Sequence, residues 1–491
     1  ILAALIKAKP STLQLFGERL AAEGVVTAEE VGAVQARIEG ELNQAQEKAK
    51  KKPFDPTIDP GSARWKGITG EYSFTPVKTA VSEESLREIC SALSTVPEGF
   101  QLNPKLNSVL ETRGKLLEKG VVSHADAEML AFGTLLVEGI PVRLSGQDCR
   151  RGTFTQRHAV IRDAVSGAAY VPLNNVREVG QPGTDQPIGS IGADGKARQA
   201  RFCVYDSPLS EFGVMGFDYG YSLADPNMLV CWEGQFGDFV NGAQTIQDQY
   251  LASAEMKWHR WSGLVLLLPH GYEGAGPEHS SARLERFLSL CADDNMEVIN
   301  PSCASQIFHA LRRQVKRSFR KPLVVMTPKR SLRKETSSIS DLTKGAFREI
   351  IDDPKMVAGG EKSRKGVKQI LYCSGKIYWE LAERREELHR EDVAIVRIEQ
   401  FYPLHTELLA SIVGKYGKNM RHVWVQEEPR NAGAWMFLAD AFREQAGISL
   451  SYIGRPASAS PAVGSKTAHK YEQEKIITEA IGASAAKKAK K

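Results

Sequence analysis

The sequence predicts an α/β protein whose main domain, over residues 123–335, is a mostly parallel sheet with helices on both faces. One observation is that strand-like and helix-like segments alternate from residue 123 to about residue 330. Another is that three short apolar strands, expected at 203–206, 229–233 and 264–269, each run into a loop rich in Gly, His and acidic residues. In open α/β sheets, ligands bind where the carboxyl ends of strands meet such loops.

Three further segments flank this domain. Residues 1–122 predict a helical lead followed by an extended connector. Residues 336–482 predict a second, smaller α/β domain, which begins with a strand and a Ser-Gly turn at 367–375. Residues 483–491 are rich in Ala and Lys and predict a disordered basic tail.

In the lead, a capping box at Thr27–Glu30 predicts the start of a charged helix over 31–52. Residues 53–76 are rich in Pro, Gly and Asp, so we expect an extended connector that lies over another surface. Trp65 and Tyr72 are its candidate anchors.

Within the main domain, small and apolar residues at helical spacing predict an amphipathic helix over 125–138. A strand is then expected at the start of 142–148, ending in a polar turn. The charged stretch 329–365, with its Ser, Thr and Lys tracts, predicts a linker that holds one or two short helices.

The composition of the chain argues against several functional classes of protein. Of 491 residues, 42% are hydrophobic and 25% charged, as is usual for soluble globular proteins. A net charge of +5 is too small to favour nucleic acid as a partner, and no apolar run approaches the roughly 18 residues of a membrane helix. Seven scattered cysteines without a Cys-x-x-Cys pair favour reduced thiols, in a bacterial cytoplasm or a mitochondrial matrix. We expect no metal site within this chain.

Three acid and base candidates stand near the predicted strand ends. Glu211 follows a strand and a Ser-Pro turn in apolar company, and burial would raise the pKa of its carboxyl towards neutrality. The alternative is a carboxylate that interacts with a helix dipole. His270 and His279 share one Gly-rich loop and could shuttle protons, although residues 278–281 could also form a helix cap.

Aromatic and basic residues complete the candidate set. Phe236 and Phe239 could stack on a heteroaromatic ring or pack in the core. The loop 150–158 could recognise a carboxylate or phosphate, or could be an ordinary solvated loop. Its cationic and amide side chains, together with an amide just before it, are Arg150, Arg151, Arg157, His158, Gln156 and Gln147. The sequence contains no Gly-rich dinucleotide or P-loop motif, and no Gly-Asp-Gly followed by Asn.

Several longer sequence segments resemble those of a known protein family. They are Val-Arg-Leu-Ser-Gly-Gln-Asp at 142–148, Arg-Gly-Thr-Phe-Thr-Gln-Arg-His at 151–158, and the runs at 232–244, 269–281 and 426–429. With these runs the chain closely resembles the carboxyl-terminal half of the decarboxylating first component of 2-oxoglutarate dehydrogenase. The resemblance is strong over about 120–470 and looser over 1–119. Gly234 and Ala275 depart from it, since the family commonly has Ala and Gln there.

The resemblance implies a transketolase-like pyrimidine-binding domain, a carboxyl-terminal domain, and use of thiamine diphosphate with Mg²⁺ whose ligands lie outside this chain. It implies that Glu211 hydrogen-bonds the aminopyrimidine ring nitrogen and that Phe236 or, by preference, Phe239 stacks on the pyrimidine. His279 would relay protons, with His270 as a weaker second. Cofactor contacts are also expected from Gln147 and Asp148, and substrate contacts from Arg151, Gln156 and His158.

The implied reaction is oxidative decarboxylation of 2-oxoglutarate in the tricarboxylic acid cycle. Its product step would transfer a succinyl group to the lipoyl group of a dihydrolipoyl succinyltransferase. The implied assembly is a homodimer through the pyrimidine and carboxyl-terminal domains. Two alternatives stay open: a carboligating or simple 2-oxoglutarate decarboxylase, and a non-catalytic dimerisation or regulatory chain. Because the chain starts within a helical pattern at Ile1, without Met, we expect a piece of a single-chain enzyme that lacks its diphosphate-binding domain.

Overall fold

A computed structural model describes residues 2–52, 63–417 and 419–484. The chain divides into two compact units, one within residues 1–59 and one within 60–491. The predicted basic tail lies outside the described residues from residue 485 onward, as do residues 53–62 of the predicted connector. Among the residues described, no helix combines the length and the hydrophobicity that crossing a membrane requires.

The described part of the first unit contains three helices, α1 (Leu2–Ala8), α2 (Thr12–Ala22) and α3 (Ala28–Lys51). The predicted capping box is confirmed, because the Thr27 hydroxyl accepts from the Glu30 N–H at 3.1 Å and the Glu30 carboxylate accepts from the Thr27 N–H at 2.8 Å. The two longer helices pack closely at Gly17, where a Cβ would lie 3.0 Å from Val31 Cγ1. A larger residue at Gly17 would therefore push the helices apart.

The second unit begins with the described part of the connector, which is anchored as predicted. The buried Trp65 donates from its indole N–H to the Leu223 carbonyl at 2.8 Å, and the Tyr72 hydroxyl accepts from the Gln400 amide at 2.8 Å. Helices α4 (Glu83–Ser94), α5 (Asn107–Gly114) and α6 (Leu116–Lys119) follow.

The main α/β region alternates strands and helices, as the sequence predicts. In chain order its elements are β1 (Val121–Ser123), α7 (His124–Val137), β2 (Val142–Gly146), β3 (Ile161–Arg162), β4 (Ala169–Tyr170), β5 (Phe202–Asp206), α8 (Glu211–Ala224), β6 (Leu229–Glu233), α9 (Gln244–Ile246), α10 (Ala254–Trp258), β7 (Val265–Pro269), α11 (Leu284–Ser289), β8 (Glu297–Ile299), α12 (Ala304–Lys316), β9 (Leu323–Thr327), β10 (Glu335–Ser338) and α13 (Ile339–Lys344).

A second α/β region follows. Its elements are β11 (Ile350–Ile351), α14 (Pro354–Ala358), α15 (Gly360–Lys365), β12 (Gln369–Cys373), α16 (Ile377–Glu387), β13 (Val393–Ile398), β14 (Gln400–Tyr402), α17 (Thr406–Val413), β15 (Arg421–Pro429), α18 (Trp435–Ala446), β16 (Ser451–Arg455) and α19 (Lys466–Ala480).

The larger sheet has seven strands in the order β14-β8-β9-β7-β6-β2-β5, and only the β14–β8 pairing is antiparallel. Along β7, Val265 and Leu267 enter one core while Leu266 and Leu268 enter another. Helices α7 and α12 pack on the first face and α8 on the second. The predicted mostly parallel sheet with helices on both faces is therefore confirmed.

The prediction that 125–138 forms an amphipathic helix is wrong in one respect. Helix α7 does form, but all of its residues except Asp126 and Val137 are buried. It packs against α12 and α4 as well as against the sheet, so tertiary contacts cover the face that a two-layer arrangement would leave to solvent.

The smaller sheet has five strands in the order β11-β13-β12-β15-β16, all parallel except for the β11–β13 pair. The prediction of a linker over 329–365 is wrong, because that stretch contains two strands that pair with strands from other parts of the chain. Strand β10 pairs with β1, and β11 extends the smaller sheet. Short strands of two to four residues carry too little periodicity to be recognised from sequence.

Candidate functional site

Four parallel neighbours, β7, β6, β2 and β5, end at the same edge of the larger sheet. Each is followed by a segment that the sequence analysis selected. The four segments begin with His270 after β7, Gly234 after β6, Gln147 after β2 and Ser207 after β5. The parallel topology thus brings together loops that are up to about 120 residues apart in the chain, as expected for a ligand-binding edge.

Glu211 and Gln147 meet at this edge. The Gln147 amide donates to Glu211 Oε1 at 3.0 Å. Glu211 is the first residue of α8, whose N-cap Ser210 accepts from the Gly213 N–H at 3.2 Å. A Cβ at Gly242 would lie 3.0 Å from Glu211 Oε2, so a glycine is needed for this close approach. The carboxylate is therefore oriented by Gln147, and Gly242 leaves room for its second oxygen.

The structure does not bury Glu211 among apolar neighbours in this chain by itself. The Glu211 side chain is only partly buried and begins α8, as in the alternative of a carboxylate at a helix start. The neighbouring Leu209 and Phe212 are 85% and 53% exposed. The apolar side chains lie on the outside of α8 and the loop before it, because Met215 and Tyr219 occupy the face of this helix that enters the core.

Phe236, Phe239 and His279 form an aromatic cluster next to the strand ends. The centroids of Phe236 and His279 are 4.4 Å apart, those of Phe239 and His279 5.9 Å, and those of the two phenylalanines 5.8 Å. All three pairs meet edge to face, which is a favourable arrangement for aromatic rings. The cluster continues to Phe154 of the basic loop, whose ring centroid lies 5.4 Å from that of Phe236.

The backbone that carries His279 is fixed by residues that the sequence analysis did not select. Asp238 Oδ1 accepts from the backbone N–H groups of Ser280 and Ser281 at 3.2 and 3.1 Å. The buried Lys329 ammonium donates to the His279 carbonyl. Burial lowers the pKa of Lys329 below its ordinary value. Asp238 and Lys329 thus fix the backbone from His279 to Ser281.

His270 occupies a different environment from His279. Its Nδ1 accepts from the Ala282 N–H at 3.1 Å, so its Nε2 carries the proton and donates to Glu428 Oε1 at 2.8 Å. Burial alone would raise the pKa of Glu428, but the hydrogen bond from His270 lowers it below its usual range. Both ring nitrogens of His270 are therefore engaged within the chain.

The basic loop is split between two environments. Arg157 is neither solvated nor available to a ligand, since its guanidinium is buried between two carboxylates. It donates to Glu128 Oε1 at 2.7 Å and to Glu233 Oε2 at 2.7 Å, and also to the Cys149 carbonyl at 2.9 Å. Burial opposes the charge, yet the two carboxylates raise the pKa of Arg157 well above its usual value. This residue therefore holds the loop to α7 and to the end of β6.

The other predicted residues of the loop line a cavity of about 920 Å³. Arg151 pairs with Asp148, and the Gln156 side chain accepts from the Phe154 N–H at 3.0 Å. Burial and the nearby Arg113 lower the pKa of His158. Thus Asp148, expected beside the cofactor, lies with Arg151, Gln156 and His158 in this cavity, whereas Gln147 turns to Glu211.

Sequence reasoning missed Arg113, Glu128, Asp238 and Lys329. Nothing in their local pattern separates them from ordinary polar residues, because their partners are distant in the chain. Across the described ranges, no group of three or more His, Cys, Asp or Glu side chains is arranged to hold a metal ion.

Comparisons with known families agree with this architecture. Residues 121–335 match the family described as the transketolase pyrimidine binding domain. Residues 336–481 match the family described as the 2-oxoglutarate dehydrogenase C-terminal domain. The two matches follow one another directly and include every residue of the edge described above.

Curated relatives match nearly the whole chain. The 2-oxoglutarate dehydrogenase E1 component of Cupriavidus necator is 43% identical over 493 residues, covering 96% of this chain and 48% of the relative. The E1 component of Rickettsia felis is 40% identical over 487 residues, with 97% and 47% covered. That of Brucella ovis is 41% identical over 499 residues, again with 97% and 47% covered. The chain spans about half the length of the curated relatives it matches.

Proposed function

Because this chain belongs to the family of 2-oxoglutarate dehydrogenase E1 components, whose carboxyl-terminal half it represents, we propose that it supplies the pyrimidine-binding half of a thiamine diphosphate site. The proposed reaction is oxidative decarboxylation of 2-oxoglutarate. The observation that carries the proposal is the Gln147–Glu211 hydrogen bond of 3.0 Å, next to the cluster of Phe236, Phe239 and His279.

The residues of this edge fit the pyrimidine end of the cofactor. Glu211 offers a carboxylate for a ring nitrogen, with one oxygen already oriented by Gln147. Phe239 and Phe236 are partly exposed and offer flat apolar surfaces for a heteroaromatic ring, with Phe239 our choice for the stacking residue. When bound, thiamine diphosphate would supply the electron sink that loss of carbon dioxide from a 2-oxo acid requires. We place the Mg²⁺ ligands in the half of the enzyme that this chain does not contain.

Five of this chain's side chains would handle protons and charge. Glu211 would share a proton with the pyrimidine nitrogen, and His279 would donate or accept a proton at the reacting carbonyl oxygen. Arg151 would contribute positive charge to the substrate side, together with the cavity-lining amide and imidazole of Gln156 and His158. Asp238 and Lys329 act as positioning residues, since they hold the backbone that directly follows the His279 side chain, at the His279 carbonyl and the Ser280 and Ser281 N–H groups.

The proposed assembly is a two-fold homodimer in which a diphosphate-binding domain meets the exposed face next to Glu211. Leu209, Phe212 and Phe217 are 85%, 53% and 59% exposed there. Such a patch of large apolar side chains supports an interface at this face. The proposed acceptor is the lipoyl group of a dihydrolipoyl succinyltransferase. We place the reaction in a bacterial cytoplasm or a mitochondrial matrix, in keeping with seven free cysteines.

The test measures release of carbon dioxide from 2-oxoglutarate, with thiamine diphosphate and Mg²⁺, by this chain alone and by this chain with a separately produced amino-terminal half. We expect activity only in the mixture. Glu211→Gln and His279→Ala should each reduce it by about 10²–10⁴-fold, the usual contribution of a general acid or base. Glu361→Gln, an exposed carboxylate on α15 that pairs with Lys365, is the matched control and should leave the rate unchanged.

The outcomes separate the competing functions. No activity in the mixture would contradict a catalytic role and favour a dimerisation or regulatory chain. Activity of the chain alone would contradict the half-site proposal. Formation of succinic semialdehyde or of a carboligation product, with no succinyl transfer to a lipoyl domain, would identify a decarboxylase or carboligase instead of a dehydrogenase component.

A further inference from the structure

The cavity beside the basic loop lies between residues 103–113, which include most of α5, and the loop 148–162. Six cationic and four anionic side chains line it. The cationic ones are Lys105, Arg113, Arg150, Arg151, Arg162 and Arg333. Three of the four carboxylates are already engaged, because Asp148 pairs with Arg151, Asp206 accepts from the Arg150 N–H at 3.0 Å, and Asp126 accepts from the Ser123 hydroxyl at 2.6 Å. The cavity therefore favours an anion by its charge.

One of these cations, Arg113, is buried where the others are not. Its side chain is 2% exposed, compared with 53% for Arg151. Arg113 Nη2 donates to the Arg157 carbonyl at 2.6 Å. Within the described part of the chain, its Nε and Nη1 have no hydrogen-bond acceptor. Three N–H bonds of a buried guanidinium thus lack partners, which is rare in folded proteins and unfavourable unless something else accepts them.

The nearest carboxylate does not satisfy this guanidinium. Asp126 Oδ1 lies 3.6 Å from Arg113 Nε, which is outside hydrogen-bonding distance, and Asp126 Oδ2 accepts from the Ser123 hydroxyl at 2.6 Å. Asp126 therefore lowers the electrostatic cost of burying Arg113 but leaves its donors free. A planar guanidinium with free donors matches the oxygens of a carboxylate or phosphate group.

We propose that this cavity binds an anion of the carboxylate or phosphate class, with the Arg113 guanidinium as its main ligand. Lys105, Arg162 and Arg333 lie around the cavity with largely exposed side chains, where they attract an anion without immobilising it. Two sources carry this chemistry. A dicarboxylate such as the proposed substrate would make the cavity part of the reaction site, in which case the inference rests on the proposed function. A phosphate group would make it an independent site.

The test measures anion binding to the full chain by titration calorimetry and by thermal unfolding, at constant ionic strength set with chloride. The probes are inorganic phosphate, succinate and 2-oxoglutarate, each titrated separately and then in competition. We expect saturable binding of at least one probe. Preference for succinate and 2-oxoglutarate identifies the carboxylate source, and preference for phosphate identifies the other.

Two substitutions with opposite expected effects on anion affinity test the role of Arg113. Arg113→Met keeps the aliphatic stem and should weaken binding by at least about tenfold, as expected when a charged hydrogen-bond donor is lost. Asp126→Asn keeps an acceptor for Ser123 but removes the competing negative charge, so it should tighten binding at least about threefold. Arg87→Met, which removes an exposed arginine outside the cavity that pairs with Glu83, is the control and should change nothing.

The proposal is overturned if no probe binds saturably to the unmodified chain at concentrations up to about 10 mM, the weak limit for a specific small-anion site. It is also overturned if folded Arg113→Met binds as tightly as the unmodified chain. Should Arg113→Met fail to fold, Asp126→Asn decides, since unchanged or weaker binding by that variant contradicts the geometry. None of these results depends on decarboxylation, so failure here leaves the proposed function to its own test.

Discussion

Replacing Arg157 by Met is expected to destabilise the main domain more than any exposed substitution. Arg157 donates five hydrogen bonds to Glu128, Glu233 and the Cys149 carbonyl, and all three charged side chains are buried. Methionine fills most of the same volume but leaves two buried carboxylates without a counter-charge. Breaking a buried ion pair from one side typically costs about 3–5 kcal/mol.

This loss of unfolding free energy predicts a large decrease in Tm. In a domain of this size, each kcal/mol lowers Tm by roughly 2–4 °C, so we expect Tm to fall by roughly 6–20 °C. Urea denaturation followed by tryptophan fluorescence should give the corresponding loss of unfolding free energy. The control Arg87→Met removes an exposed i,i+4 pair with Glu83 and should cost no more than about 0.5 kcal/mol.

The loss of unfolding free energy caused by Arg157→Met should also depend on pH, and it should be larger at higher pH. Burial raises the pKa of Glu233, and Arg157 opposes that rise in the unmodified chain. Without Arg157, burial holds the pKa of the Glu233 carboxyl in the folded state above that in the unfolded chain. The variant then gains stability relative to the unmodified chain as pH falls, so the difference should be larger at pH 8 than at pH 5.

A loss below about 1 kcal/mol at neutral pH, which is the value of an exposed pair, would refute this reasoning. It would mean that water reaches Glu128 and Glu233 or that the loop 148–158 moves away at little cost. If the stability difference between the variant and the unmodified chain grew as pH fell, the predicted direction of the pH dependence would be wrong.

Two further predictions concern stability and the backbone of the site. Burial lowers the pKa of His124 and of His309 to about 4, so the unfolded chain binds more protons than the folded chain between about pH 4 and pH 6.5. Stability should therefore fall with falling pH in that window, by up to about 1.4 kcal/mol per pH unit for each histidine, and His309→Gln should flatten the slope of unfolding free energy against pH. Gly237→Ala would place a Cβ 2.5 Å from Ala282 Cβ, so we expect a loss of about 1–3 kcal/mol and reduced activity, measured by denaturation and turnover. Gly32→Ala, with no atom within 4 Å of the new methyl group, should instead stabilise its helix by up to about 1 kcal/mol, and equal effects of the two changes would contradict the packing argument.

Much of the fold could be predicted from the sequence because its main strands are continuous apolar runs. Strands β6 and β7 lie at Leu229–Glu233 and Val265–Pro269, against predictions of 229–233 and 264–269. The capping box at Thr27–Glu30 was equally predictable, since a capping box depends on two residues that are three positions apart in the sequence. The domain boundaries at 123, 336 and 482 remain predictions.

The elements that sequence reasoning misjudged depend on contacts between distant segments. Helix α7 was predicted to be amphipathic, yet neighbouring helices cover its outer face. The stretch 329–365 was predicted to be a linker, yet β10 and β11 pair with strands of other segments. Short strands form because a partner edge is available, and a partner edge is not a property of the local sequence.

The α/β class, the strand ends that carry Gln147, Glu211 and His279, and the family resemblance could all be predicted from the order of the residues. The partners of these and other polar groups became known from the folded structure. Arg157 meets Glu128 and Glu233 across 29 and 76 residues of chain, so it has a structural role within a loop for which anion recognition and simple solvation had both stayed open. The physical reason is that burial and pairing set the charge state of a side chain, and both depend on segments that meet only when the chain folds.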